Sequence, residues 1–150
     1  MTSDAILTLW QEARTRFSAQ LPLLTPEDLP KKMAGAPNSV GFLLRHIAEV
    51  ELLFAKNVFG LPDVSVLART VIDKRDTGEW TDLPALLSLQ EYAAQCLEAA
   101  IRSQTDWPGT VTTREFGTRT RLEALGRIVS HTAYHAGQMA MILRYGMEPK

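Results

Sequence analysis

Apolar residues recur at three- and four-residue steps along four long stretches of the chain, the spacing that gives a helix one buried face. In the first, from about Asp4 to Gln20, the stripe is Ile6, Trp10, Ala13 and Phe17, with Ser3 the expected N-cap. Pro22 and Pro26 close it, and Thr25-Pro26-Glu27-Asp28 can start a short helical turn. The second runs from about Ser39 to Phe59, with Asn38 the expected cap and Gly60-Leu61-Pro62 the stop. The third starts near Thr81 or Asp82, tolerates Pro84 in its first turn and ends before Asp106-Trp107-Pro108-Gly109. Leu83, Leu87, Ala94, Leu97 and Ile101 form its stripe. The fourth opens on a capping box, Thr120-Arg121-Leu122-Glu123, and reaches about Tyr145, where Gly146 fits the left-handed C′ position.

The connections are less determined. The segment from Asp63 to Glu79 has room for a brief helix around Val64 to Thr70, and Asp76-Thr77-Gly78 reads as a turn. Thr110 to Thr118 alternates weakly, which suits an extended loop or a small hairpin. Four long amphipathic helices without strong strand runs predict an all-α, four-helix bundle, and 150 residues without repeat or linker predict one domain over 1–150.

Composition changes little in this picture. With 45% hydrophobic and 22% charged residues the chain is an ordinary globular one. A net charge of -1, with Arg114 to Arg121 the single basic cluster, gives no nucleic-acid footprint, and that cluster suits a solvated loop. The N-terminal stretch has neither a basic leader nor a long apolar run, so no signal peptide and no membrane span are expected, and a cytoplasmic location is the default. The one cysteine, Cys96, cannot form an internal disulfide and falls among Ala94, Leu97 and Ala100 as a small buried apolar group.

The chemistry lies in the histidines, of which there are three. At about 100° per residue, Leu53 and Phe42 fall within about 40° of His46 on one side, and Val50 and Leu43 within about 60° on the other. His46 thus sits in the middle of an apolar face. His131 and His135 are spaced i, i+4 on the fourth helix, roughly 60–80° from the centre of its stripe, facing a groove beside a neighbouring helix. A buried imidazole needs a hydrogen-bond partner or a metal. An i, i+4 pair can chelate one ion without straining the helix, and a bundle can bring His46 alongside. His131-Thr132-Ala133-Tyr134-His135 lacks the glutamate of the HExxH motif, which argues against zinc-protease chemistry.

The stretches PNSVGFLLRHIAEVELLFAKNVFG and LGRIVSHTAYHAGQMAMILRYG, the latter with its His-x-x-x-His-x-Gly-Gln run, resemble the DinB-like superfamily of bacterial proteins (DinB/YfiT-like metalloenzymes). The resemblance implies an up-down-down-up bundle with a long connection between its second and third helices. It implies one divalent metal ion, zinc or nickel, sometimes iron or manganese, on His46, His131 and His135. It implies homodimers, and thiol-dependent transferases or isomerases as relatives, with a low-molecular-weight thiol and an electrophilic small molecule as partners.

Three neutral imidazoles leave a coordination position open, as a catalytic zinc site does. A thiol there would serve a metal-dependent thiol S-transferase, and a water there a hydrolase. A non-catalytic metal-binding or stress-response bundle would carry the same residues. Glu49 and Gln138 are candidates for catalysis or for orienting an imidazole, and Asn57, Tyr134 and Trp10 for substrate binding. Glu49 is equally well a surface glutamate, Tyr134 a helix-contact residue, and Trp10, Phe17 and Phe42 core residues; Trp107 is a further pocket candidate.

Overall fold

The computed structural model describes residues 2–149 and is mostly helical. Four long helices, α1 (Ser3–Ser18), α2 (Val40–Leu53), α4 (Leu83–Ser103) and α5 (Arg121–Tyr145), are joined by a short helix α3 (Arg69–Asp73) and a hairpin of β1 (Thr110–Thr113) and β2 (Gly117–Thr120). Helix α2 packs on α4 and α5, and α1 packs on the same two. The hairpin, paired Thr110 to Thr120 through Thr113 to Gly117, and an isolated antiparallel bridge between Lys32 and Met147 depart from an all-helical architecture.

Most helix ends lie within a residue or two of the positions the caps predict. Asp82 caps α4 through the Ala85 N–H at 3.1 Å, and the Thr120–Glu123 box closes on itself at the start of α5. Two caps move by one residue. Thr2, not Ser3, accepts the Ala5 N–H, because the Ser3 hydroxyl is used elsewhere: it donates to the Gln104 carbonyl and accepts from Trp107 Nε1. Ser39, not Asn38, accepts the Phe42 N–H at the start of α2. Gly146 is extended (φ -74) rather than left-handed; it is needed because a Cβ there would come within 2.5 Å of the Ile142 carbonyl.

Two further differences bear on the site. The second predicted helix does not run evenly to Phe59. After Leu53 it widens into a π turn, Phe54–Val58, closed by the Phe59 N–H on the Phe54 carbonyl at 2.9 Å. The wide turn shifts the phase of every residue beyond it, so Phe54, Ala55, Val58 and Phe59 are all buried. The brief helix expected at Val64 to Thr70 forms later, at Arg69–Asp73, while Val64 enters the core as extended chain.

Helix α2 is central: ten of its 14 residues are buried. One core cluster joins its Ala48 and Leu52 to Ile6, Trp10, Leu97, Ile101, Trp107 and Ile128. The other joins its Leu43, Leu44 and Ile47 to Phe17, Leu29, Leu86, Met139 and Ile142. Each buried aliphatic or aromatic side chain of this kind contributes roughly 1.5–3 kcal/mol. Together they fix α2 against α5 and so fix where His46 lies relative to His131 and His135. Cys96 is half-buried against the first cluster rather than enclosed in it.

Candidate metal centre

His46 projects from α2 toward α5, where His131 and His135 stack one turn apart. One ring nitrogen from each lies within 4.8 Å of the other two. Ring centroids are 5.0 Å apart for His46 and His131, 5.1 Å for His46 and His135, and 4.4 Å for the α5 pair. All three rings are half-buried. Loss of water around them, reinforced by their mutual proximity, holds His46 at a pKa of about 4 and His131 at about 3; burial lowers His135 as well. Near neutral pH all three are therefore uncharged and present lone pairs.

Outer hydrogen bonds settle which lone pair faces inward on His46 and on His135. The Thr70 hydroxyl donates to Glu49 Oε1 at 2.5 Å, so its oxygen accepts from His46 Nδ1 at 3.0 Å and leaves His46 Nε2 bare. His135 Nδ1 donates to Gln138 Oε1 at 2.7 Å, again leaving Nε2. His131 Nε2 lies 3.1 Å from His46 Nε2, and its Nδ1 is buried without a partner among the described residues. A proton can bridge that one pair of nitrogens and no more. A cation serves all three, and two nitrogens on one tetrahedral zinc lie roughly 3.3 Å apart. The donor set and its spacing therefore fit a divalent ion.

The sequence-predicted candidates separate cleanly. Glu49 is not a surface glutamate: it is fully buried and accepts the Arg69 N–H, the Thr70 N–H and the Thr70 hydroxyl, with Arg45 Nε 3.2 Å away. Gln138 holds His135. Tyr134 is exposed, with its ring 5.2 Å from that of His135. Asn57 points to solvent, because the π turn rotates it off the face of His46. Trp10 is buried in the core beside Arg14, away from the histidines. Trp107 is likewise a core residue, against Phe59.

A cleft of about 660 Å³ opens beside His46 and His131. Val50, Leu53, Phe54 and Phe116 give it apolar walls, and Glu115, Arg127, Ser130 and Tyr134 add polar groups. The family description of the DinB superfamily matches residues 9–139. The chain belongs to the DinB superfamily. Comparison with curated proteins and with solved structures finds no match. In this DinB-superfamily chain no described helix is long and apolar enough to cross a membrane.

Two contributions to the site escape sequence reasoning. Thr70 lies 24 residues beyond His46, in the connection that carries no clear periodicity, and only the fold brings it to Nδ1. Phe116 and Glu115 come from the tip of the hairpin. Arg127 had a usable signal, since it stands one turn before His131 on α5.

Proposed function

We propose that the protein is a metal-dependent thiol S-transferase acting on a small electrophile with an apolar body. What supports the reading most directly is the convergence of three neutral imidazoles, two of which, His46 and His131, line an apolar cleft. His46, His131 and His135 would hold one divalent ion, zinc or nickel. Such an ion supplies a Lewis acid that stabilises a thiolate at neutral pH.

The chain's own residues do the rest. Thr70 and Gln138 orient two of the rings through Nδ1. Glu49 anchors Thr70 and, with its oxygens already engaged, does not serve as a proton acceptor in the cleft. Phe54, Phe116, Val50 and Leu53 exclude water from the electrophile, and Arg127 and Tyr134 stand at the rim to receive its polar end. The reading takes the four long helices as a single up-down-down-up bundle and sets it in the reducing cytoplasm. It also includes a homodimer, for which the exposed Tyr134, Met141 and Tyr145 along α5 offer an apolar stripe.

The test is metal analysis and thiol conjugation on untagged protein. Zinc- or nickel-loaded protein should join a low-molecular-weight thiol to 1-chloro-2,4-dinitrobenzene. His131→Ala should lose both metal and turnover, with at least a 100-fold fall in metal affinity. Loaded protein that is inactive toward a panel of thiols and electrophiles would sink the transferase reading, and full metal occupancy in His131→Ala would sink the site.

A further inference from the structure

Helix α3 is an improbable helix on its own terms. It has five residues, where isolated helices shorter than about 12–15 are marginal. The residue before it, Ala68, is in the left-handed region (φ 54), which a non-glycine residue rarely adopts, and no side chain of its own caps it. Leu67 and Ile72 point outward.

What holds α3 is Glu49. Its carboxylate reaches from α2 to accept the first two N–H groups, Arg69 at 2.7 Å and Thr70 at 2.8 Å. Two guanidinium groups lie against the indole of Trp80, Arg45 from α2 at 4.9 Å and Arg69 from α3 at 5.2 Å. Thr70 is the one buried residue of α3, and its hydroxyl spends its proton on Glu49 and its lone pair on His46 Nδ1. The same turn of chain also flanks the histidines on both sides. Val71 faces the large cleft, and Thr70, Val71 and Lys74 line a second opening shared with His46 and His135.

We propose that Thr70 is a positioning residue for the metal centre, and that docking of α3 and loading of the metal are thermodynamically linked through the Glu49–Thr70–His46 chain. The inference rests on the reading that the three histidines hold an ion. With α3 docked, Thr70 can take only the Nδ1–H form of His46, which is the form that turns a bare Nε2 inward. With α3 undocked, His46 is free to carry its proton on either nitrogen and to rotate. Linkage is reciprocal: whatever docked α3 adds to metal affinity, bound metal returns to the docking of α3.

The test compares wild type, Thr70→Val and Thr70→Ser, with zinc as the probe. Valine keeps the shape of threonine and loses the hydroxyl; serine keeps the hydroxyl. Zinc should slow amide exchange across Arg69–Asp73 by tenfold or more in wild type and in Thr70→Ser, and much less in Thr70→Val. Zinc affinity should fall about 10–100-fold in Thr70→Val, the usual cost of removing a residue that orients a ligand, and stay near wild type in Thr70→Ser. In metal-free protein, imidazole ¹⁵N spectra should show His46 as the Nδ1–H form in wild type and as a mixture in Thr70→Val. Such spectra report the ring directly, and a merely structural role for Thr70 would leave them unmoved. Equal zinc affinity and equal α3 protection in Thr70→Val and wild type would overturn the linkage alone. Failure of wild type to bind zinc would overturn the metal reading and the linkage with it.

Discussion

Glu49 and Glu51 stand two residues apart on α2, both fully buried, and they belong to two opposite kinds of polar site. Glu51 faces α1 and α4. Both its oxygens are taken by Arg14, at 3.0 and 2.9 Å, and Arg14 also donates to Gln90 Oε1 at 3.2 Å. Gln90 completes the set by donating to the Leu44 carbonyl at 2.5 Å. Charge is balanced, and the crevice that Arg14 lines has no room for a water molecule. Glu49 faces the other way, and its network ends on an imidazole whose remaining nitrogen points at another imidazole. A polar cluster whose members satisfy one another holds helices in register. One whose outer bonds serve to present bare lone pairs at a common point is arranged for something outside the chain.

The largest effect should come from breaking the closed network. Glu51→Ala leaves the Arg14 guanidinium buried without a counter-charge, which typically costs about 3–5 kcal/mol. Urea denaturation should report that loss, while zinc affinity of the folded protein stays at the wild-type value. Replacing both partners, Arg14→Met with Glu51→Leu, should recover most of the stability, because an apolar pair of similar volume removes the desolvation cost as well as the attraction. If the double variant is as unstable as Glu51→Ala, the network does more than pair charges.

The open network should respond in the opposite currency. Gln138→Leu removes the acceptor from His135 Nδ1 on a half-buried surface. Zinc affinity should drop about 10–100-fold, measured against a competing chelator, with little change in the denaturation midpoint of the metal-free protein. An affinity unchanged by Gln138→Leu would show that helix packing alone orients His135.

The helices and the three histidines were legible because they follow from periodicity: a strict 3.6-residue pattern places His46 among Phe42, Val50 and Leu53, and i, i+4 spacing stacks His131 on His135. The same arithmetic puts Asn57 about 20° from His46 and fails there, because it assumes that every turn has the same pitch and the π turn at Phe54–Val58 does not. Glu49 could not be read as buried from its helix alone. The group that buries it, α3, lies in a connection whose conformation is set by contacts rather than by local preference. Thr70 is the extreme case, a residue ordinary in sequence whose role exists only once α2 and α3 are docked. The Glu51–Arg14–Gln90 network was invisible for the same reason, since its members lie 37 and 39 residues apart along the chain and meet only across helices.

The two networks should also be separable by pH, through a difference in slope of about 1.4 kcal/mol per pH unit for each proton. In the metal-free protein His46 and His131 hold pKa values of about 4 and 3, while the unfolded chain takes up these protons near the ordinary 6.5. Between pH 6.5 and 4 the unfolded state therefore binds more protons at these sites, and they lower stability as the pH falls through that window. Glu51 acts with the opposite sign. Burial, opposed by Arg14, holds its carboxyl above the usual 4.5, so the folded state takes that proton first. Near pH 5, then, His131→Gln should reduce the proton uptake on unfolding by about one, and stability should decline more gently on acidification. The Arg14→Met, Glu51→Leu pair should leave a decline at least as steep as in wild type. Stability measured at half-unit pH steps, with chelator present throughout, reads both. A slope in His131→Gln equal to that of wild type would mean that this imidazole is already protonated or solvated in the folded chain. It would then belong to neither kind of network, and the contrast between the two faces of α2 would fail at its strongest point.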